Sequence, residues 1–164
     1  MASFLQRRLI TPLVAILREG TAPQKLACSV ACGVVCGLFP VMGTTTLLAG
    51  AAALTFGLNL PTIQLVNYLI YPLQLALIVP FIRAGEFMLG AQGTRLSLLE
   101  MIAVFRHNHW QGLHVLWLLA LQGIVAWLFL APFLFAAVYS IALPPIRGMA
   151  RAIAASREAG VVIP

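Results

Sequence analysis

The sequence contains no aspartate and only four glutamates, and charged residues make up 9% of its 164 positions. From Leu26 to Ile82 it runs for 57 residues without a single Asp, Glu, Lys, Arg or His. A typical soluble domain is about 25% charged, so a run this long does not fit the core of a small soluble domain and belongs in a lipid bilayer. The shortage of acids also bears on chemistry. Glu86 and Glu100 have no partner pattern for acid–base work, and Ser29, Ser97, Ser140 and Ser156 have no base in register. The chain is therefore expected not to be an enzyme, and no cofactor is expected.

What is present agrees with that class. Hydrophobic residues make up 62% of the chain, against roughly 45–50% in soluble domains, and the length leaves room for one membrane unit. Ten Lys/Arg against four Glu give a formal charge of +6. In a soluble protein that balance would raise nucleic acid as a partner. Here the cations flank apolar segments, as at cytoplasmic membrane edges, so anionic membrane lipids are the expected partners and nucleic acid is not.

No signal core is evident before Arg18. Leu5, Leu9, Leu13, Ile16 and Leu17 recur at helical spacing, which predicts an amphipathic helix on the cytoplasmic face over residues 1–25. Thr21 and Pro23 mark the start of the next helix. Residues 26–143 form the expected membrane domain and 144–164 a basic tail.

The apolar segments are irregular. Leu26 to Phe39 and Thr44 to Leu58 are each too short to span, since a crossing needs roughly 20 residues. They are either two halves of one broken helix or a re-entrant hairpin. Pro61 to Ile82 is a full-length segment, interrupted by Pro72 and Pro80. A charged connection with Arg83, Glu86, Arg95, Glu100 and Arg106 follows. Gly112 to Leu143 is long enough to cross despite Pro132, and Pro144-Pro145 is expected to end it. Charge alone leaves the orientation open, because the N-terminus, the central connection and the basic tail all look cytoplasmic.

Four stretches resemble a bacterial family catalogued as domain of unknown function 2062. They are Thr21-Ala22-Pro23-Gln24-Lys25-Leu26-Ala27, Gly33 through Pro40, Gly43-Thr44-Thr45-Thr46, and Leu58-Asn59-Leu60-Pro61. The resemblance covers Gly20 to Gly90. Many relatives carry an Asn-Pro pair in the following helix, where this chain has Tyr71-Pro72 with Asn67 four residues earlier. The resemblance implies an inner-membrane protein, sometimes beside or fused to a glycosyltransferase, with no settled activity.

Two constellations stand out as a ligand site. Gly33 and Gly37 have the spacing that lets membrane helices approach closely, Pro40 stops the helix, and Gly43 permits a turn. Thr44, Thr45 and Thr46 then open a new helix. Free N–H groups and three hydroxyls at a buried helix start suit a phosphate or carboxylate, although the threonines also suit simple capping. On the following helix, Gln64, Asn67, Tyr71 and Gln74 share one face. That stripe suits hydrogen bonds to a polar ligand, to the broken backbone near Pro40, or between helices, and it has no group for a proton relay.

Cys28, Cys32 and Cys36 form a helical face that suits small-residue packing better than a soft metal, so no metal site is expected. His107, His109 and His114 beside Trp110 read as interfacial. The expected fold is an all-α integral membrane helical bundle with a Pro/Gly-broken or re-entrant helix pair. The expected function is to move or present an amphiphilic anion such as a lipid-linked phosphate, with Gly37, Pro40, Gly43, Thr44, Thr45, Thr46, Gln64, Asn67, Tyr71 and Gln74 at its site. The alternative is a non-catalytic membrane subunit that anchors or organises a glycosyltransferase or other envelope enzyme. So few segments enclose little volume, so a homo-oligomer is expected.

Overall fold

The computed structural model describes residues 22–90 and 109–158. Every regular element among them is an α-helix: α1 (Pro23–Gly37), α2 (Thr45–Phe56), α3 (Leu60–Met88) and α4 (His109–Glu158). The amphipathic helix expected before residue 22 lies outside the described residues, as do Arg95, Glu100, Arg106 and His107.

Local chemistry sets most of the helix ends. Pro23 occupies the first turn of α1, where its missing N–H costs no helical bond. α1 stops at Gly37: Leu38 N–H bonds the Val34 carbonyl at 3.0 Å and Phe39 N–H tightens onto the Cys36 carbonyl at 3.2 Å. Pro40 then offers no donor to continue the ladder. α2 ends on Gly57, which takes φ 58°, and Leu58 N–H reaches back to the Ala53 carbonyl at 2.9 Å. That is the Schellman arrangement, which needs a residue tolerant of positive φ. α3 opens on Asn59, whose Oδ1 accepts from Thr62 N–H at 2.9 Å and from the Thr62 hydroxyl at 2.7 Å.

Contacts between helices give their directions. Along α1 and α3 the partners advance together. Ser29 meets Asn59, Gly33 meets Ile63 and Val66, and Gly37 meets Asn67 and Ile70. These helices are parallel, so α2 between them runs back, and Cys36, Ala49, Ala53 and Ile63 close into one buried cluster. Residues 23–58 are thus a hairpin whose end returns beside its beginning. Its closing bond is specific: the Ser29 hydroxyl accepts Asn59 N–H at 3.0 Å and donates to the Lys25 carbonyl at 2.8 Å. α4 runs against both. Its Gly123 meets Pro40 and its Gln122 meets Gly85, while Ile146 packs on Leu26 and Ala27. α1, α3 and α4 pack on one another, and α2 lies against α1 and α3.

Two contacts depend on glycine. A Cβ on Gly33 would stand 2.8 Å from Val66 Cβ and 2.9 Å from the Ile63 carbonyl oxygen. A Cβ on Gly85 would overlap the Gln122 carbonyl. The small-residue spacing of Gly33 and Gly37 therefore serves the α1–α3 approach, as expected.

Three expectations are corrected. Pro144-Pro145 does not end the last helix, which continues to Glu158. An internal proline costs roughly 3 kcal/mol, but the cluster of Leu26, Ala27 and Ile146 gathers Tyr139, Ala142 and Leu143 before the prolines and Met149 and Ile153 after them. Packing on both sides keeps the helix continuous, and the prolines lie on its exposed side. Second, α3 does not give way to a loop at Ile82: Arg83 and Glu86 are in its last turns, joined at 3.2 Å. Third, Met88 and His109 lie at the end of the bundle away from Pro23, because α3 is parallel to α1 and α4 returns. Pro23 is therefore at one end of the described bundle, and Met88 and His109 are at the other.

Two helical segments, Leu60–Met88 and Gly112–Ser156, are long and apolar enough to cross a membrane, whereas α2 is apolar but short.

Candidate functional site

The break between α1 and α2 interrupts a backbone ladder, so its carbonyls need donors from elsewhere. Two other helices supply them. Gln74 Nε2 donates to the Phe39 carbonyl at 2.7 Å, and Trp127 Nε1 donates to the Val35 carbonyl at 3.0 Å. The Trp127 ring also meets the edge of Phe39, with centroids 4.9 Å apart and planes at 89°. Gln74 is only 2% exposed and lies 14 residues from each end of α3. The break is therefore held beside the middle of the long helix. Pro40 is buried there, near enough to α4 that a Cβ on Gly123 would sit 3.1 Å from Pro40 Cβ.

One more residue of the stripe on α3 acts in the same way. Gln64 Nε2 donates to the Thr46 carbonyl at 3.2 Å, and Asn67 Nδ2 donates to Gln64 Oε1 at 3.4 Å. Asn67 is buried, while Tyr71 is 45% exposed. Two of the four stripe residues, Gln64 and Gln74, thus bond the hairpin, Asn67 bonds Gln64 along its own helix, and Tyr71 looks outward. Of the readings that the stripe suits, Gln74 makes the bond to the broken backbone near Pro40 and Gln64 makes a bond between helices.

The threonines separate too. Thr44 stands at the N-cap of α2 but with helical angles, φ −96° and ψ −13°, and makes no capping bond. Capping needs an extended residue whose oxygen turns onto the following N–H groups. The Thr44 hydroxyl instead donates backwards to the Val41 carbonyl at 2.9 Å. Thr45 is buried and Thr46 is exposed, as is Gly43, which turns the chain at φ 84°. The ladder of α2 begins only with Leu48 N–H on the Thr44 carbonyl at 3.0 Å. The N–H groups of Thr45, Thr46 and Leu47 thus have no intrahelical acceptor, as at any helix start.

Beside the break lies an open apolar groove of about 530 Å³. Val41 forms one wall, and Trp110, Leu113, His114, Trp117, Ala120 and Ile124 form the other. The α4 residues recur at three- and four-residue intervals, one face of a helix. Its volume falls within the roughly 300–1,000 Å³ of small-molecule sites, and its lining is almost wholly hydrocarbon.

Elsewhere, Cys36 is buried in the α1–α2 cluster and Cys32 packs against it. Among the described residues no three of His, Cys, Asp or Glu converge as a metal set. Sequence reasoning missed Trp127, the Ser29–Asn59 clasp and the groove. The seven-residue spacing of Trp110 and Trp117 was a legible signal for the groove. Nothing in the sequence links Ser29 to Asn59, because that bond depends on the hairpin closing.

These features define a small all-helical protein in which a broken helical hairpin is braced between two long apolar helices. The profile of a family described as "Uncharacterized protein conserved in bacteria", the domain of unknown function 2062, matches residues 6–154, and the chain belongs to that family. The match reaches past Gly90 through most of α4. No curated protein and no solved structure matches the chain.

Proposed function

We propose that the chain is a multi-pass protein of the bacterial inner membrane that presents an amphiphilic anion, such as a lipid-linked phosphate, at the tip of a re-entrant hairpin. In this reading α3 and α4 cross in opposite directions. Residues 23–58 enter and return on one side, with the broken backbone covered by protein, as lipid requires. With the N-terminal segment on the membrane face, seven Lys/Arg fall on the side of Pro23 and three on the other, which makes the Pro23 side cytoplasmic.

The observation that carries the proposal is the position of Val41. It walls the apolar groove, and its carbonyl takes the Thr44 hydroxyl at 2.9 Å. An acyl or prenyl chain in the groove thus puts its headgroup within a turn of the uncapped start of α2, where N–H groups and the Thr46 hydroxyl favour an anion. The polar stripe favours presenting over carrying, since Gln64 and Gln74 are engaged in bracing the hairpin and Asn67 in holding Gln64. The same observation supports a second reading, a rigid non-catalytic subunit that organises a glycosyltransferase or another envelope enzyme.

The test uses purified protein in liposomes with a photoreactive polyprenyl phosphate. Crosslinks should map to the α4 face from Leu113 to Ile124, fall several-fold in Ala120→Trp, which fills the groove, and fall with the matching alcohol. Equal labelling by phosphate and alcohol would remove the anion seat. Labelling unchanged by Ala120→Trp would remove the groove and leave the scaffold reading. Topology is read separately: cysteines placed at Gly90 and Gly148 should react from opposite sides, and one at Met42 should be shielded.

A further inference from the structure

Tyr71 lies twelve residues from Asn59, the N-cap of α3, and twelve from Arg83 near its end. At 1.5 Å per residue that is about 18 Å either way. In a hydrocarbon core about 30 Å thick, Tyr71 is therefore at the centre, and Tyr68 is one turn away. Both side chains look outward, with Tyr68 65% exposed, and neither hydroxyl has a hydrogen-bond partner among the described residues. Tyrosine is enriched at the membrane edges, and from this depth neither ring reaches one. Pro72, exposed beside them, has no N–H to return to the Tyr68 carbonyl. Lipid chains satisfy none of these groups, whereas a neighbouring helix can. No described helix covers this side of α3. The exposed residues there still follow a packing pattern: Gln64, Tyr68, Tyr71, Leu75 and Val79 recur at three- and four-residue steps, the spacing of a seam between helices.

We propose that a second copy of this chain closes the seam, inserted in the same direction and related by a two-fold axis along the membrane normal. The Tyr68 and Tyr71 hydroxyls of each copy then meet those of the other and its Tyr68 carbonyl. A tyrosine hydroxyl both donates and accepts, so this face is complementary to itself, as an isologous contact requires. Copies that share one orientation bring their polar groups to the same depth, which an ordinary apolar helix does not. The dimer rests on the membrane reading above and is independent of the lipid-linked phosphate.

The experiment is mass spectrometry of the intact full-length protein released from micelles, together with oxidative crosslinking in liposomes of single-cysteine variants that lack the native cysteines. The wild type should be a dimer. Y68F/Y71F removes the two hydroxyls and keeps the rings, and it should raise the dissociation constant of the dimer at least tenfold. Y68C should crosslink to its partner copy, whereas L128C, exposed on α4, should not. A monomer at every concentration, a dissociation constant unchanged in Y68F/Y71F, or crosslinking at Leu128 in place of Tyr68 overturns the proposal. Fast reaction of Y68C with a water-soluble maleimide in liposomes also overturns it, because water would then satisfy the hydroxyls. A monomer whose cysteines at Gly90 and Gly148 still react from opposite sides refutes the dimer alone. Reaction of both from one side refutes the membrane reading beneath it.

Discussion

Replacing Gln74 by Leu tests whether the hairpin is held by the donors described. Leu is close in volume, so the change removes a hydrogen bond and leaves little cavity. Gln74 is 2% exposed and its Nε2 stands 2.7 Å from the Phe39 carbonyl. Phe39 is followed by Pro40, so the neighbouring backbone has no N–H to offer in its place. A buried carbonyl left unpaired costs about 1–3 kcal/mol, although hydrogen bonds within membrane helices average nearer 0.6 kcal/mol when measured by double-mutant cycles. The low value describes bonds whose partners find substitutes in the unfolded state. Here the native carbonyl is orphaned, so about 1–2 kcal/mol is expected. For a chain of this size each kcal/mol shifts Tm by roughly 2–4 °C, which puts the loss at about 2–8 °C in detergent. Gln64→Leu is the control, because its 3.2 Å bond to the Thr46 carbonyl is solvent-facing, and it should cost under about 1 kcal/mol. Trp127→Phe removes the companion donor to Val35. Combined with Gln74→Leu it should be non-additive, since both hold one helix end. Equal effects of Gln74→Leu and Gln64→Leu, or strict additivity with Trp127→Phe, would refute the bracing argument.

Further predictions follow from single contacts. Gly85→Ala should destabilise by about 1–3 kcal/mol, because the added methyl meets the Gln122 backbone and overpacking costs about that much. Gly148→Ala meets nothing within 4 Å and should raise Tm slightly, since alanine favours a helix by up to about 1 kcal/mol. Asn59→Ala removes the cap of α3 and should cost about 0.5–2 kcal/mol by denaturant titration. Spin labels at Ala137 and Ala152, in a background without native cysteines, should report one distance near 22 Å, the rise of 15 helical residues. A broad distribution would mean that α4 bends at Pro144-Pro145.

Sequence alone determined the punctuation and the apolar character of the long helices. Absent charges and abundant apolar residues make Leu60–Met88 and Gly112–Ser156 apolar enough to cross a membrane. Pro23, Pro40, Gly57 and Asn59-Leu60-Pro61 act on their own backbone within a turn, so the helix boundaries near them were legible, as was the small-residue approach of Gly33 and Gly37. The stripe of Gln64, Asn67 and Gln74 was legible as a face, because helical periodicity alone produces it. Tertiary structure decided everything that needed two distant segments at once. Local rules end a helix at Pro144-Pro145, yet contacts of Ile146 and its neighbours with Leu26 and Ala27 carry it through. The threonines look like caps in one dimension, but the turn leaves Thr44 helical and sends its hydroxyl to Val41. Which carbonyl Gln74 serves, and whether Trp127 reaches Val35, depend on helix directions. Those directions are set by side-chain packing between helices, which no local pattern encodes.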